Sequence, residues 1–181
     1  MTRYAVLLRG VNVGGVTVRS ADLRALLAEL PVTDARTLLA SGNVVCRYDG
    51  DAGALKVLVE GALRERFGYD AWVVVLTAER LAELIDACPY PPDSETLHTY
   101  VTVTSDPARL DELDVSIAEA APDAPRTRLG PEAAAWQAPV GRTLDDAQSK
   151  LGSKARYKPW ITDRNLRTML KIRAALEALD E

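Results

Sequence analysis

Apolar and polar residues alternate along the chain in two recurring spacings, which predicts short strands separated by amphipathic helices. In the first half, leucines three and four residues apart follow Ser20, a good helix N-cap, and a second such stripe begins near Asp51. Short runs of apolar residues and of residues common in strands predict strands at residues 3–8, 37–40, 44–48 and 71–76. The resulting order, β-α-β-β-α-β, is the split pattern of the ferredoxin-like fold, with one antiparallel sheet and both helices on one face.

The same order starts again after a linking helix capped by Thr77 and ended by the Pro89–Pro92 run. Strand patterns at 97–104, 127–129 and 133–138 surround a helix that begins near Pro107, and a polar helix is predicted over 145–157. A last helix is predicted from Asn165 to Leu179, and residues 158–162 are the one candidate for a fourth strand. We therefore predict an α+β chain of two ferredoxin-like halves in tandem, residues 1–90 and 91–181, the second half irregular.

Composition and charge narrow the class of protein. Hydrophobic residues make up 48% of the 181 residues, which is ordinary globular composition and argues against a disordered chain. The net charge is −4, but residues 77–140 carry 4 basic and 12 acidic side chains, whereas residues 141–181 carry 9 and 6. The N-terminal apolar run is too short for a signal peptide or a membrane span, and Cys46 and Cys88 read as buried, reduced thiols. We expect a cytoplasmic protein without a membrane segment.

The loop after the first strand, Arg9-Gly10-Val11-Asn12-Val13-Gly14-Gly15, lies where phosphate-binding loops occur. It matches neither the dinucleotide nor the P-loop motif, since Asn12 takes the place of a glycine and Val16 that of the lysine. Two interpretations stay open. The loop is either a tight turn that needs glycine, which we favour by pattern alone, or a set of backbone N–H groups that cradle an anion.

A second polar segment, Ser41-Gly42-Asn43, separates two predicted strands. Its small polar side chains can hydrogen-bond a ligand, but they can equally cap their own turn. Taken alone, the segment is best interpreted as a hairpin turn.

The third segment is basic and lies near the C-terminus, where Lys150, Lys154, Arg156 and Lys158 are interleaved with two aromatic residues, Tyr157 and Trp160. Arg164, Arg167, Lys171 and Arg173 follow, with Thr162 or Asp163 as the expected helix cap. This composition suits phosphate contacts combined with base stacking. A solvated basic face that balances the acidic middle of the chain fits equally well.

Catalytic candidates are few. His98 is the single histidine and is more simply explained as a surface side chain than as a general base. Cys88 has no histidine near it in sequence, and no His, Cys or carboxylate cluster has metal-ligand spacing. The sequence therefore predicts no metal and no cofactor, and it names no catalytic residue.

Several of these segments together resemble a known family. Leu8-Arg9-Gly10-Val11-Asn12-Val13-Gly14-Gly15, Ser41-Gly42-Asn43, Ser149-Lys150-Leu151 and Thr162-Asp163-Arg164-Asn165 with Lys171 look like the DUF1697 family, a bacterial domain of unknown function. The resemblance covers about residues 3 to 179 and implies a tandem ferredoxin-like architecture but no reaction. It also implies that the matching polar residues build one site, with Arg9, Gly10, Asn12, Gly14, Gly15, Ser41, Asn43, Lys150, Arg164, Asn165 and Lys171 as its ligand-binding members.

Three functions are compatible with the sequence. The first is binding of an anionic ligand between the two halves, either a nucleotide or a short single-stranded nucleic acid held by the basic C-terminal region. The second is an enzyme acting on a phosphorylated small molecule, for which the proton carrier would be His98 or a carboxylate that the sequence does not identify. The third is a protein-interaction module, which would use the Pro89–Pro92 segment and Trp160.

Overall fold

Two antiparallel sheets of four strands each form the framework of the fold. The computed structural model describes residues 1–9, 17–39, 42–68, 70–92 and 94–179. The strands are β1 (Thr2–Arg9), β2 (Thr33–Leu38), β3 (Asn43–Tyr48), β4 (Trp72–Thr77), β5 (Leu97–Thr104), β6 (Arg126–Gly130), β7 (Ala133–Pro139) and β8 (Ile161–Asn165). The helices are α1 (Ser20–Ala28), α2 (Ala52–Phe67), α3 (Ala78–Asp86), α4 (Pro107–Ala120), α5 (Ala147–Gly152) and α6 (Leu166–Glu177), with 3-10 turns at Thr143–Asp145 and Ala155–Tyr157.

The strand order is the same in both sheets: β2-β3-β1-β4 in the first and β6-β7-β5-β8 in the second. In each sheet the first strand of the half lies between the third and the fourth, as two βαβ units joined by a hairpin require. This topology confirms the predicted α+β fold of two ferredoxin-like halves.

The chain divides into two compact units: unit 1 consists of Met1–Ala82 with Lys171–Glu181, and unit 2 of Glu83–Leu170. Unit 1 buries alternate residues of β1, β3 and β4 against the leucine stripes of α1 and α2. Its longest helix, α2, begins where Asp51 Oδ1 accepts a hydrogen bond from Ala54 N at 2.7 Å. The helix ends at Gly68, whose φ of 68° is the left-handed conformation that glycine adopts without strain.

In one core cluster of unit 2, Leu110, Leu113 and Ile117 of α4 pack against Tyr157 and Ile161. The helix α4 starts as predicted, with Pro107 in its first turn. Asp106 Oδ1 accepts a hydrogen bond from Ala108 N at 3.1 Å and so caps the helix.

Three predicted elements have different bounds in the structure. β2 begins four residues earlier than the predicted strand at 37–40, and the fourth strand of unit 2 is β8, Ile161–Asn165, instead of 158–162. The continuous helix predicted over 145–157 is wrong, since α5 ends at Gly152 and a separate 3-10 turn follows at Ala155–Tyr157. Glycine at 152 lowers helix propensity at that point, so the chain leaves the helix there.

Candidate functional site

A run of exposed basic side chains distinguishes one surface of unit 2. Within residues 150–158, here called the basic segment, Lys150, Lys154, Arg156 and Lys158 are all exposed. In the described part of the chain, no carboxylate lies within ion-pair distance of the three lysines. The segment therefore presents positive charge to solvent in a protein whose net charge is −4.

Tyr157 anchors the basic segment to the core of unit 2. Its side chain is fully buried among Leu110, Leu113 and Ile161. The Arg156 guanidinium lies 4.7 Å from the centroid of the Tyr157 ring, a cation–π geometry, and its Nη2 donates to Ser116 Oγ at 3.4 Å. Burial removes Tyr157 from contact with any ligand, so its predicted part in base stacking is wrong. Trp160 is half-buried and packs against the same cluster.

Gln148 fixes α5, the helix that carries Lys150, to the sheet. Its side chain is 2% exposed, its Nε2 donates to Thr102 Oγ1 at 3.0 Å, and its Oε1 accepts from Arg126 Nη1. Asp146 Oδ1 caps the same helix by accepting from Gln148 N at 2.8 Å. One short helix is thus hydrogen-bonded to both β5 and β6, which holds the start of the basic segment in place.

Thr102 is the centre of this buried polar network. Its hydroxyl donates to Asp163 Oδ1 on β8 and accepts the indole N–H of Trp136 at 3.0 Å, in addition to the Gln148 amide. The hydroxyl thereby uses its donor and both acceptor positions. The network links β5, β7 and β8 to α5 in the interior of unit 2.

Two arginines of β6 share one carboxylate of α4. Arg126 Nε donates to Asp114 Oδ1 at 2.7 Å, and Arg128 Nη1 donates to Asp114 Oδ2 at 2.6 Å. Burial lowers the pKa of Arg126, and the nearby charge of Asp114 opposes that shift. The sequence pattern did not single out Gln148, Thr102, Arg126 or Asp114, because each occupies an ordinary polar position of its helix or strand.

Lys150 and Arg164, both predicted to bind the ligand, lie on different sides of the unit 2 sheet. Asp163 faces α5 through Thr102, so its neighbour Arg164 extends from the opposite face, where its Nη1 donates to Thr162 Oγ1 at 2.8 Å. Arg164 is 7% exposed. Lys150 and Arg164 therefore do not converge within unit 2.

Asn165 has a structural task at the start of α6. Its Oδ1 accepts a hydrogen bond from Arg167 N at 2.8 Å, so it caps the helix. The prediction that Thr162 or Asp163 caps the helix is wrong, because both belong to β8, and Arg164 lies in the same strand instead of in the helix.

In unit 1, Arg9 and Asn43 end up at the same end of the sheet. β1 ends at Arg9, β3 begins at Asn43 on the neighbouring strand, and Leu8 N donates to Gly42 O at 2.8 Å. Asn43 is fully buried, and its Nδ2 donates to Leu38 O at 3.1 Å. This hydrogen bond joins the start of β3 to the end of β2. The predicted residues Gly10, Asn12, Gly14, Gly15 and Ser41 lie outside the described residues. Lys171 is exposed on α6.

Three titratable groups were weighed in the sequence, His98 and the thiols of Cys46 and Cys88. His98 is half-buried and meets the edge of the Tyr100 ring, with ring centroids 6.4 Å apart. Burial raises the pKa of the Cys46 thiol to about 11 and also raises the pKa of Cys88. Both thiols are therefore protonated near neutral pH, which disfavours them as nucleophiles.

The described residues contain neither a cluster of metal-ligating side chains nor a membrane-spanning helix. Across 1–9, 17–39, 42–68, 70–92 and 94–179, no three His, Cys, Asp or Glu side chains are grouped to hold a metal ion. Over the same ranges no helix combines the length and the apolar character needed to cross a membrane.

Fold and surface together define a class: an α+β protein of two ferredoxin-like halves with a basic segment on the second. The chain belongs to the DUF1697 family, described as a protein of unknown function, whose model matches residues 1–131. It is similar in fold to the conserved bacterial protein SP0830 from Streptococcus pneumoniae, with a TM-score of 0.76, 22% identity, and 97% of this chain and 98% of that chain covered. No curated protein matches the chain.

Proposed function

We propose that the protein binds an anionic ligand through its basic segment, and that single-stranded nucleic acid is the ligand class this surface fits best. The observation that carries the proposal is the set of exposed side chains Lys150, Lys154 and Lys158, which have no ion pair in the described part of unit 2. A surface cation without a carboxylate partner gains more from a phosphate than a cation that is already paired.

The spacing of the charges favours a strand over a single phosphate group. The four basic residues follow one another at intervals of four, two and two residues along the segment. Four cations within nine residues of one segment suit the repeated phosphates of a nucleic-acid backbone. The half-buried side chain of Trp160 offers a stacking surface for a base, a contact of about 1–3 kcal/mol in proteins that bind single strands.

The remaining predicted residues stay part of the proposal. Arg9 and the glycine-rich loop of residues 10–15 would supply backbone N–H donors and charge to a nucleotide or terminal phosphate. Arg164, Asn165 and Lys171 would contact a part of the ligand away from the basic segment, since Arg164 extends from the opposite face of the sheet.

Salt dependence of binding tests the proposal directly. We expect a labelled oligothymidylate to bind in a fluorescence anisotropy titration, with log Kd rising linearly with log salt concentration. For single strands the slope is about 0.7 per phosphate contacted, so the Lys154→Ala/Lys158→Ala variant is expected to lose roughly 1.4 of the slope.

A matched control removes two positive charges elsewhere. Arg64 and Arg66 of α2 are exposed and paired with Asp70 and Glu29, so Arg64→Ala/Arg66→Ala makes the same change in net charge away from the basic segment. The control is expected to keep the wild-type slope. Equal slopes in all three proteins, or no binding at low salt, would contradict the proposal. Displacement of the oligonucleotide by a mononucleotide at equal phosphate concentration would point to a nucleotide site instead.

A further inference from the structure

The outer edge of the unit 1 sheet is formed by β4, a strand with the composition of an aggregation-prone segment. Its sequence, Trp72-Val-Val-Val-Leu-Thr77, has three consecutive valines and contains no charge, no glycine and no proline. Strands of this kind at a sheet edge are templates for pairing with another strand, because their outward N–H and C=O groups remain available. Such an edge is protected from pairing when other groups of the protein hydrogen-bond to these N–H and C=O groups.

Two side chains of α2 occupy the outward backbone groups of Val73. Glu60 Oε1 accepts a hydrogen bond from Val73 N at 2.9 Å, and Lys56 Nζ donates to Val73 O at 2.8 Å. Lys56 and Glu60 are also hydrogen-bonded to each other across one helical turn. The pair thus supplies one acceptor and one donor at the place where a neighbouring strand would supply the same two groups.

The opposite edge of the same sheet is protected in another way. The pairing of β2 with β3 shifts register between Thr33 and Arg36, and Asp34 between them has a φ of 55°. Charged side chains and a bulge make an edge hard to extend. β4 has neither feature, and its register with β1 runs without interruption from Thr77 to Trp72.

We propose that Lys56 and Glu60 close the β4 edge to strand addition, and that the strand they exclude is β4 of a second copy of this chain. An antiparallel β4–β4 pair about a twofold axis would be self-complementary. Since β4 carries no charged side chain, this pairing would place no like charges opposite each other. The inference concerns unit 1 alone and does not depend on the proposed function.

The test removes both closing side chains and follows two separate measurements. In the Lys56→Ala/Glu60→Ala variant, amide hydrogen exchange by NMR is expected to be about tenfold faster or more at Val73, because its N–H loses a charged acceptor. Size-exclusion chromatography with light scattering across a concentration series is expected to show association that the wild-type protein does not show.

Two controls separate the edge from general effects of mutation. Glu60→Gln keeps an oxygen that accepts from Val73 N and is expected to keep the wild-type oligomeric state. Arg64→Ala/Asp70→Ala removes an exposed ion pair between α2 and the loop before β4, leaves Lys56 and Glu60 in place, and is expected to have no effect on association.

A folded double variant whose Val73 amide exchanges rapidly but whose mass stays that of the wild-type protein at every concentration would overturn the proposal. If the double variant does not fold, the single variant Glu60→Ala takes its place and leaves Lys56 on Val73 O. The expected results are again faster amide exchange at Val73 and concentration-dependent association.

Discussion

At the residue scale, the hydroxyl of Thr102 joins side chains from three other elements of unit 2. It accepts hydrogen bonds from Trp136 and Gln148 and donates one to Asp163, all in the protein interior. Thr102→Val keeps the shape but removes the acceptor of two buried N–H groups. Because each buried group without a partner costs about 1–3 kcal/mol, we expect the free energy of unfolding to fall by about 3 kcal/mol in urea denaturation.

The control for this prediction is Thr33→Val. Thr33 is exposed on β2, and its hydroxyl makes a weak contact with Met1 Sδ at 3.6 Å. The same chemical change is expected to alter stability by no more than about 0.5 kcal/mol there. Similar losses in the free energy of unfolding for the two variants would show that the buried polar network of unit 2 stabilises the protein no more than an exposed hydroxyl does.

Burial of the Cys46 thiol predicts a loss of stability at alkaline pH. Burial raises the pKa of its thiol from 9.0 to about 11, so the folded protein holds this proton more tightly than the unfolded chain. The resulting stability is fully present below pH 9 and is lost as the pH rises toward 11. The total is about 3 kcal/mol, since one pKa unit corresponds to about 1.4 kcal/mol.

Cys46→Ala tests this prediction through the slope of stability against pH. The variant is expected to be less stable at neutral pH, because the substitution leaves a small cavity, but to show a flatter decline between pH 9 and 11. The measurement is a series of urea midpoints over that range; Cys88→Ala is expected to flatten the decline by a smaller amount, because the Cys88 thiol, whose pKa is also raised, is only partly buried. A decline in Cys46→Ala as steep as that of the wild-type protein would mean that other groups cause the loss of stability at alkaline pH.

At the scale of elements, arginines of the unit 1 sheet bind carbonyls in the last turn of α6 and in the residues just after it. Arg47 Nη2 donates to Leu179 O at 2.6 Å, while Arg36 and Arg3 donate to the carbonyls of Ala178 and Leu176, each at 3.4 Å. The last carbonyls of a helix lack partners within the helix and carry partial negative charge, so cations bind them favourably. This contact explains why residues after 171 belong to unit 1.

Arg47→Ala is therefore expected to loosen the end of α6 and the residues after it. We expect faster amide hydrogen exchange over residues 174–179 and a loss of about 1–2 kcal/mol in stability, because a short, charge-assisted hydrogen bond is removed. Arg24→Ala, which removes an exposed arginine with one 3.4 Å contact to Thr37 Oγ1, is the matched control. Unchanged exchange in the Arg47 variant would show that packing alone holds this helix end.

The elements that sequence patterns predicted well are those with one buried face. The leucine stripes of α1 and α2 and the apolar runs of β1 and β4 lie within a few residues of their predicted positions. β8 was harder to predict because it buries polar side chains, Thr162 and Arg164, on one face while Asp163 bonds to Thr102 on the other. Its sequence consequently shows no alternation of apolar and polar residues.

At the scale of the whole molecule, the candidate site was predictable in composition but not in arrangement. The sequence showed the basic segment directly, since charge is visible residue by residue. It did not show that Tyr157 is buried beneath the segment or that Gln148 fastens α5, because both depend on contacts between residues far apart in the chain. Arg164 and Lys150 matched one family pattern, yet they lie on opposite sides of a sheet.

The division of the chain into two units leads to a last prediction about truncation. Unit 2 is continuous in sequence, whereas unit 1 combines residues 1–82 with a segment that begins at Lys171. A chain that ends at residue 170 lacks Ile172, Leu176 and Leu179, which are all buried, and the carbonyls that Arg36 and Arg47 bind. Since burying one such side chain is worth about 1.5–3 kcal/mol, we expect unit 1 to lose roughly 5 kcal/mol or more.

Tryptophan fluorescence can follow the two units separately. Trp72 lies in unit 1, and Trp136 and Trp160 lie in unit 2, so Trp136→Phe/Trp160→Phe leaves a reporter for unit 1 and Trp72→Phe leaves reporters for unit 2. In the truncated chain we expect the urea midpoint reported by Trp72 to fall well below that of the full chain. The midpoint reported by Trp136 and Trp160 is expected to change less, because all four strands of that sheet and α4 remain. Equal shifts of the two midpoints would contradict the assignment of residues 171–179 to unit 1, since the C-terminal segment would then stabilise both sheets to the same extent.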